Sequence, residues 1–314
     1  LEHPELITRD YKKKQKRKLT AFITASALTV ILGVSGLVCN VMATRVNNNN
    51  YETLVSPSVA TSLEDKVSSY EQAIKIYPNR IEAYTCMLEA YEDEGKFGKK
   101  ENDEFLALYN AHKDNFDVTS KEYAELNYKI GMMYFNYYTN DDGSYSFSNR
   151  VQKAYSFFAT NFENKEISSE FEYKKLSDCY YRICSFYKTY ILSSATVEEA
   201  SRDNYEELIS TIENALDDVK DAGAYDQLTL YNGTFMLLYD QRSSMVQVNV
   251  DKSTVLALLD RVYNSANTLS VKKEQSQNLQ KEIIDNYDEY KEAIERAYTN
   301  AEERADINAE KETK

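Results

Sequence analysis

Residues Leu19 to Thr44 read LTAFITASALTVILGVSGLVCNVMAT, twenty-six residues without a charge. A helix rises about 1.5 Å per residue, and a hydrocarbon core of roughly 30 Å needs about 20 apolar residues. The run therefore predicts one transmembrane helix over 19–44, with the lipid bilayer as its partner. Six basic residues between Lys12 and Lys18 precede it, and Arg45 follows. That asymmetry places the N-terminal side in the cytoplasm and the C-terminal side outside, as a single-pass protein of the cell membrane. Val41-Met42-Ala43 has the spacing of a signal-peptide cleavage site. The run is longer than the usual roughly 7–15-residue signal core and starts after eighteen residues, which favours an uncleaved anchor. Cys39 follows bulky Val38, which fits an ordinary membrane residue better than a lipid-modified one.

The anchor divides the charge unevenly. Residues 1–45 hold eight basic and three acidic groups, and the chain as a whole carries −14, so the remainder carries −19. Such a surface repels nucleic acid. The remainder is also poor in breakers: the chain has 8 Gly and 3 Pro in 314 residues. Sustained polar–apolar periodicity with few breakers predicts an all-α fold. Cys179 and Cys184 lie five apart on a predicted helix and point to different faces, so free thiols are expected. His3 and His112 fall on opposite sides of the predicted span, which leaves no His-pair metal site. No cofactor motif is present: no phosphate-cradling Gly-rich loop and no nucleophile elbow occurs.

The first residues, LEHPELITRDYKKKQKRKL, followed by one span and a helical exterior, resemble the segment after the catalytic domain in membrane-anchored bacterial serine/threonine kinases of the clostridial type. None of the kinase motifs lies in this chain. The resemblance implies a parent protein with a kinase domain ahead of Leu1, and the start at Leu rather than Met reads as a fragment of something longer.

Residues 45–62 read as a polar linker. Helical periodicity begins at Leu63 and stops at Pro78-Asn79, then resumes near Arg80 and stops at Gly95. This block, YEQAIKIYPNRIEAYTCMLEAYEDEGKF, resembles the junction of two tetratricopeptide repeats, with Ala73 and Pro78 closing one and Tyr84, Met87, Tyr91 and Gly95 in the next. Ile130-Gly131-Met132-Met133-Tyr134, with Ala154 and Phe158, echoes the pattern, as do Leu176–Tyr180 and Tyr231–Phe235. Taking Leu88, Gly131, Ser177 and Asn232 as equivalent gives spacings of 43, 46 and 55 residues. A regular repeat has about 34, so the array is irregular. The resemblance implies a stack of antiparallel helical hairpins over 63–300 with a concave binding face. Further helices are expected at 171–193, 197–222, 225–243, 252–268 and 271–300. Residues 301–314 are expected to fray.

Two stretches are candidates for contact. Aromatic residues crowd 134–158, and Tyr134, Phe135, Tyr137 and Tyr138 in succession cover more than one helical face. Tyrosine standing in for Trp and Phe in inter-helix packing is the favoured reading of the cluster. Some members must nonetheless lie at a surface, where they would suit a protein, peptide or cell-wall ligand, with Tyr134, Tyr137, Tyr138, Tyr145 and Tyr155 the candidates. In the span, Ala21, Ala25, Thr29 and Gly33 form a stripe of small residues that would permit close pairing of two helices, and hence a homodimer. Asn140-Asp141-Asp142-Gly143 lacks the alternation of a calcium loop and reads as a turn.

The sequence therefore predicts 1–18 as a cytoplasmic stub, 19–44 as a transmembrane helix, 45–62 as a linker, 63–300 as an extracytoplasmic helical array and 301–314 as a tail. The expected role is sensing or protein binding coupled to a kinase. The alternative is a membrane-tethered envelope scaffold without signalling. This chain is not expected to be an enzyme.

Overall fold

A computed structural model describes residues 44–56, 62–144, 146–166, 171–192 and 201–312. The chain divides into two compact units, Leu1–Ser58 and Val59–Lys314. In the first, residues 44–55 form helix α1, where the sequence reading has the start of a linker.

Among its described residues the second unit has ten further helices. They are α2 (Leu63–Ile76), α3 (Glu82–Asp93), α4 (Lys99–His112), α5 (Lys121–Tyr137), α6 (Phe147–Glu163), α7 (Lys174–Phe186), α8 (Arg202–Asp218), α9 (Ala224–Gln247), α10 (Lys252–Thr268) and α11 (Glu274–Glu312). A short 3₁₀ turn, Lys113–Asn115, follows α4, and a π-helical turn, Tyr187–Leu192, prolongs α7. Among the described residues no strand forms; Phe97 and Tyr138 meet only as an isolated bridge.

Local chemistry sets these boundaries. The Ser62, Ser120, Ser146 and Ser201 side chains each accept a backbone N–H three residues on, satisfying a donor the first helical turn leaves open. Gly95 ends α3 at φ 61°, the left-handed region that a side chain disfavours. At the C-terminus of α5, the buried Arg150 donates from Nε to the Tyr138 carbonyl at 2.8 Å and from Nη1 to the Asn136 carbonyl at 2.7 Å. A guanidinium supplied by α6 thus satisfies carbonyls that α5 cannot pair itself.

Helices adjacent in the chain pack side by side, as α2 on α3, α5 on α6, α6 on α7, α7 on α8 and α9 on α10. Short connections make such neighbours antiparallel hairpins. Two features depart from a simple stack. Helix α3 packs on α5 as well as on α4, and α9 packs on α5, α6 and α11 besides its chain neighbours. From Gln227 to Phe235 every residue of α9 is buried, as expected for a helix covered on all sides.

Two glycines permit the closest approaches. A Cβ on Gly131 of α5 would lie 2.7 Å from the Phe158 ring of α6, and one on Gly233 of α9 would lie 2.3 Å from the Phe135 ring of α5. The repeat pattern aligned Asn232 with Gly131; the close contact falls one residue later, at Gly233.

Two expectations are corrected. The single transmembrane helix, and with it single-pass membrane placement, are not supported: among the described residues no helix is long and apolar enough to cross a membrane. The longest, α11, carries acidic and basic groups along its length, and the well-buried α9 includes Asp226, Gln227, Asn232 and Asp240. Of the expected span over 19–44, residues 19–43, with Ala21, Ala25, Thr29, Gly33 and Cys39, lie outside the described residues. The tail expected to fray is helical from 301 to 312 as the continuation of α11. Cys86, Cys179 and Cys184 are free thiols.

Candidate functional site

Of the five tyrosines marked as contact candidates, the four described ones do not share a surface. Tyr134 is buried; its hydroxyl donates to Asn102 Oδ1 and its ring stacks on Phe157 at 5.7 Å. Tyr138 is 7% exposed, with Lys153 Nζ 4.6 Å above its ring, so it belongs to the packing. Tyr137 is half-buried and its hydroxyl pairs with that of Tyr225 at 2.9 Å. Tyr155 is half-buried, stacked on Tyr181 at 5.9 Å and capped by Lys188 Nζ at 3.9 Å. Tyr145 lies outside the described residues.

A groove forms instead one helix face away, between α4, the 3₁₀ turn, α5 and α6. Its volume is about 610 Å³, within the usual range for ligand pockets of roughly 300–1,000 Å³. Leu106 and Tyr109 of α4 form one wall, Phe157 and Thr160 of α6 another, and Tyr123 with Asn127 of α5 line it too. The Tyr109 and Phe157 rings meet edge to face at 6.1 Å. Burial, and next the Tyr123 hydroxyl, holds the Tyr109 hydroxyl well above its ordinary pKa, so this wall carries no charge.

Val118 stands on the rim, 48% exposed, in the loop before α5. That loop is tied to the end of α6 and also bonded within itself. Asn164 Nδ2 donates to the Val118 carbonyl at 2.9 Å, and Asp117 Oδ1 accepts from the Thr119 N–H at 3.0 Å and hydroxyl at 2.7 Å.

Asn127 is the residue in this groove that packing does not explain. Ala124, Asn127, Gly131 and Tyr134 follow helical spacing along the buried face of α5, and Asn127 is 1% exposed. Its Nδ2 has no hydrogen-bond partner among the described residues. Sequence reasoning passed over it because a polar helix residue is ordinarily assigned to solvent. The available signal was its register, three residues after Ala124 and four before Gly131.

A second cavity, about 480 Å³, lies where the end of α3, the end of α5 and the starts of α9 and α11 converge. Glu92, Asp93, Glu94, Glu274 and Glu282 line it with Tyr137 and Tyr225. Tyr225 donates to Glu92 Oε1 at 2.6 Å, so the two phenols and the carboxylate form a chain linking α5, α9 and α3. Burial pushes the Glu92 and Glu282 carboxyls above the usual range, while the Tyr225 hydrogen bond pulls Glu92 back down. Glu92, Tyr225 and Tyr137 are paired to one another, and Gln275 Nε2 donates to Asp93 Oδ1 at 3.3 Å, which ties the four helices together. Among the described residues no group of three or more His, Cys, Asp or Glu is placed to hold a metal ion.

Comparison of the chain with known proteins finds no matching family model, no matching curated protein and no matching solved structure.

Proposed function

We propose that the helical array is a protein-binding module, the recognising part of a signalling protein. The observation that carries this reading is the groove between α4, α5 and α6, where Leu106, Tyr109, Phe157 and the half-exposed Val118 stand among polar side chains such as Asn110, Ser156 and Thr160. Aromatic walls supply large contact area at low entropic cost, which suits protein recognition. Kinship with tetratricopeptide arrays is supported by Gly131, which lets α5 approach Phe158 as the small position of such a repeat does. The signalling half rests on the resemblance of residues 1–19 to the region that follows kinase domains. Extending the reading frame upstream of Leu1 tests it: a serine/threonine kinase domain there is expected, and an unrelated domain overturns it.

The binding half is tested with random peptides displayed on phage and selected against the full chain. Enriched peptides are expected to lose at least tenfold in affinity for Val118→Asp, a substitution at an exposed position that leaves the melting temperature nearly unchanged. Failure to enrich any peptide, or selected peptides that bind Val118→Asp as tightly as the parent, overturns the groove as the contact surface.

A further inference from the structure

We infer that the junction between the end of α3 and the start of α11 is an acid-tightened latch: ionised, the carboxylates that face one another across it loosen the first turns of α11 from α3, and proton uptake by one of them closes the contact. This latch is separate from the groove between α4, α5 and α6. Its cavity is lined by Glu92, Asp93 and Glu94 from α3 and by Glu274 and Glu282 from α11, with no Lys, Arg or His in the lining. Tyr137 of α5 and Tyr225 of α9 are the other ionisable groups there. Like charges that share a partly desolvated space repel more strongly than on the open surface. Three of the five stand at the C-terminal end of α3, where aligned peptide dipoles leave partial negative charge, and the last turn of that helix has no basic residue.

Three cations act on these carboxyls from neighbouring helices. Lys129 of α5 favours ionised Glu92 and Asp93, but its Nζ is bonded to Glu89 Oε1 at 2.8 Å and it also acts on Asp226 of α9. Arg150 of α6 acts on Glu282, yet its guanidinium donates to the Asn136 and Tyr138 carbonyls. Lys66 of α2 acts on Asp93 from outside the lining. Burial is the largest influence on Glu92, Asp93 and Glu282 and holds each above its ordinary pKa, with the Tyr225 hydroxyl opposing it at Glu92. A carboxyl raised by the closed junction takes its proton more readily closed than open. Closure is therefore favoured as pH falls and is lost as pH rises through the raised value.

The part that moves is short. Gln275 Nε2 reaches Asp93 Oδ1 at 3.3 Å, a long bond that works against the repulsion. From Gln280 onward α11 is fixed to α10, because Gln280 Nε2 donates to the Ala266 carbonyl at 2.7 Å and to the Leu269 carbonyl at 2.9 Å. Residues 274–279 form the moving end, with buried Leu279 as its apolar contact.

The test is amide hydrogen exchange of the full chain, corrected for the intrinsic rate at each pH. The Gln277, Asn278 and Leu279 amides are read against those of residues 290–298 on the same helix. Between pH 7.5 and pH 5 the protection of the first group is expected to rise at least about fivefold more than that of the second. About 0.5 M sodium chloride at pH 7.5 should move it in the same direction by screening the carboxylates. Glu274→Gln combined with Glu282→Gln should bring protection at pH 7.5 close to the parent's value at pH 5 and flatten most of the pH dependence. If both groups of amides respond alike to pH, if salt leaves the first group unchanged, or if the double variant keeps the parent's contrast, the inference falls. If acid lowers the protection of the first group, the carboxylates hold the start of α11 through its own dipole and the inference falls as well. The parent's response to pH and salt decides the question even if the double variant fails to fold.

Discussion

Replacing Asn127 with Leu should make the protein more stable, against the usual outcome of a core substitution. The side chain is 1% exposed and its Nδ2 lacks a partner, so the folded state carries the desolvation of an unpaired amide, about 1–3 kcal/mol. Leucine is close in size and removes that penalty. It also fits a helix interior better than asparagine, by a few tenths of a kcal/mol. Against this stand Ser156 and Thr160, which line the same groove and offer leucine poorer surroundings than a purely apolar core, and imperfect packing of a shape-changed side chain, about 1 kcal/mol. The net expectation is a gain of about 1–2 kcal/mol. For a unit of this size, each kcal/mol moves the midpoint by roughly 2–4 °C, so the melting temperature should rise by about 2–8 °C. Thermal melts followed by circular dichroism, with urea unfolding as a second axis, measure it. The control is Asn102→Leu on α4. Asn102 is also buried, but its Oδ1 accepts from the Tyr134 hydroxyl and its Nδ2 donates to Asp103 at 3.1 Å. Its loss strands the buried Tyr134 hydroxyl and should cost about 1–3 kcal/mol. If both variants melt lower than the parent by similar amounts, Asn127 is a satisfied core residue and the reasoning is wrong.

Tyr225→Phe removes the donor to buried Glu92 and should lower stability by about 1.5–3 kcal/mol, with a further rise in the Glu92 pKa seen by carbon NMR; an unchanged melt and titration would sink this. Gly233→Ala places a methyl 2.3 Å from the buried Phe135 ring; overpacking of about 1–3 kcal/mol should outweigh the roughly 1 kcal/mol gained in helix propensity, and a more stable variant would show that α9 does not sit so close to α5. Burial raises the Asp226 carboxyl to about 6, against about 3.9 unfolded, so the folded state binds the extra proton between those values. Stability should therefore rise as pH falls from 7.5 through 6, levelling near 4, and Asp226→Asn should raise the melting temperature at pH 7.5 and flatten the slope; a slope unchanged in the variant would assign it elsewhere.

The helices were legible because their boundaries are local chemistry. Lys252–Thr268 was read with the observed limits, and Gly95 and Pro78 stopped helices where expected. The way α9 packs on α5 and α6 was not legible, since periodicity reports a buried face and not which helix covers it. The one-residue slip between Asn232 and Gly233 has the same origin: only the partner ring, Phe135, shows which position must be small. Aromatic crowding at 134–158 did not tell which rings are packed away and which line a groove. Tyr134 and Tyr138 are packed away, and Phe157 behind them forms the groove wall. The π-helical turn at Tyr187–Leu192 has no sequence signature in these residues that we can identify.

Recognition through the groove is tested most directly by a structure of the full chain with a phage-selected peptide bound. The peptide is expected between α4, α5 and α6, with an apolar side chain against Tyr109 and Phe157. A peptide seated elsewhere, for example in the cavity lined by Glu92 and Glu282, would contradict it.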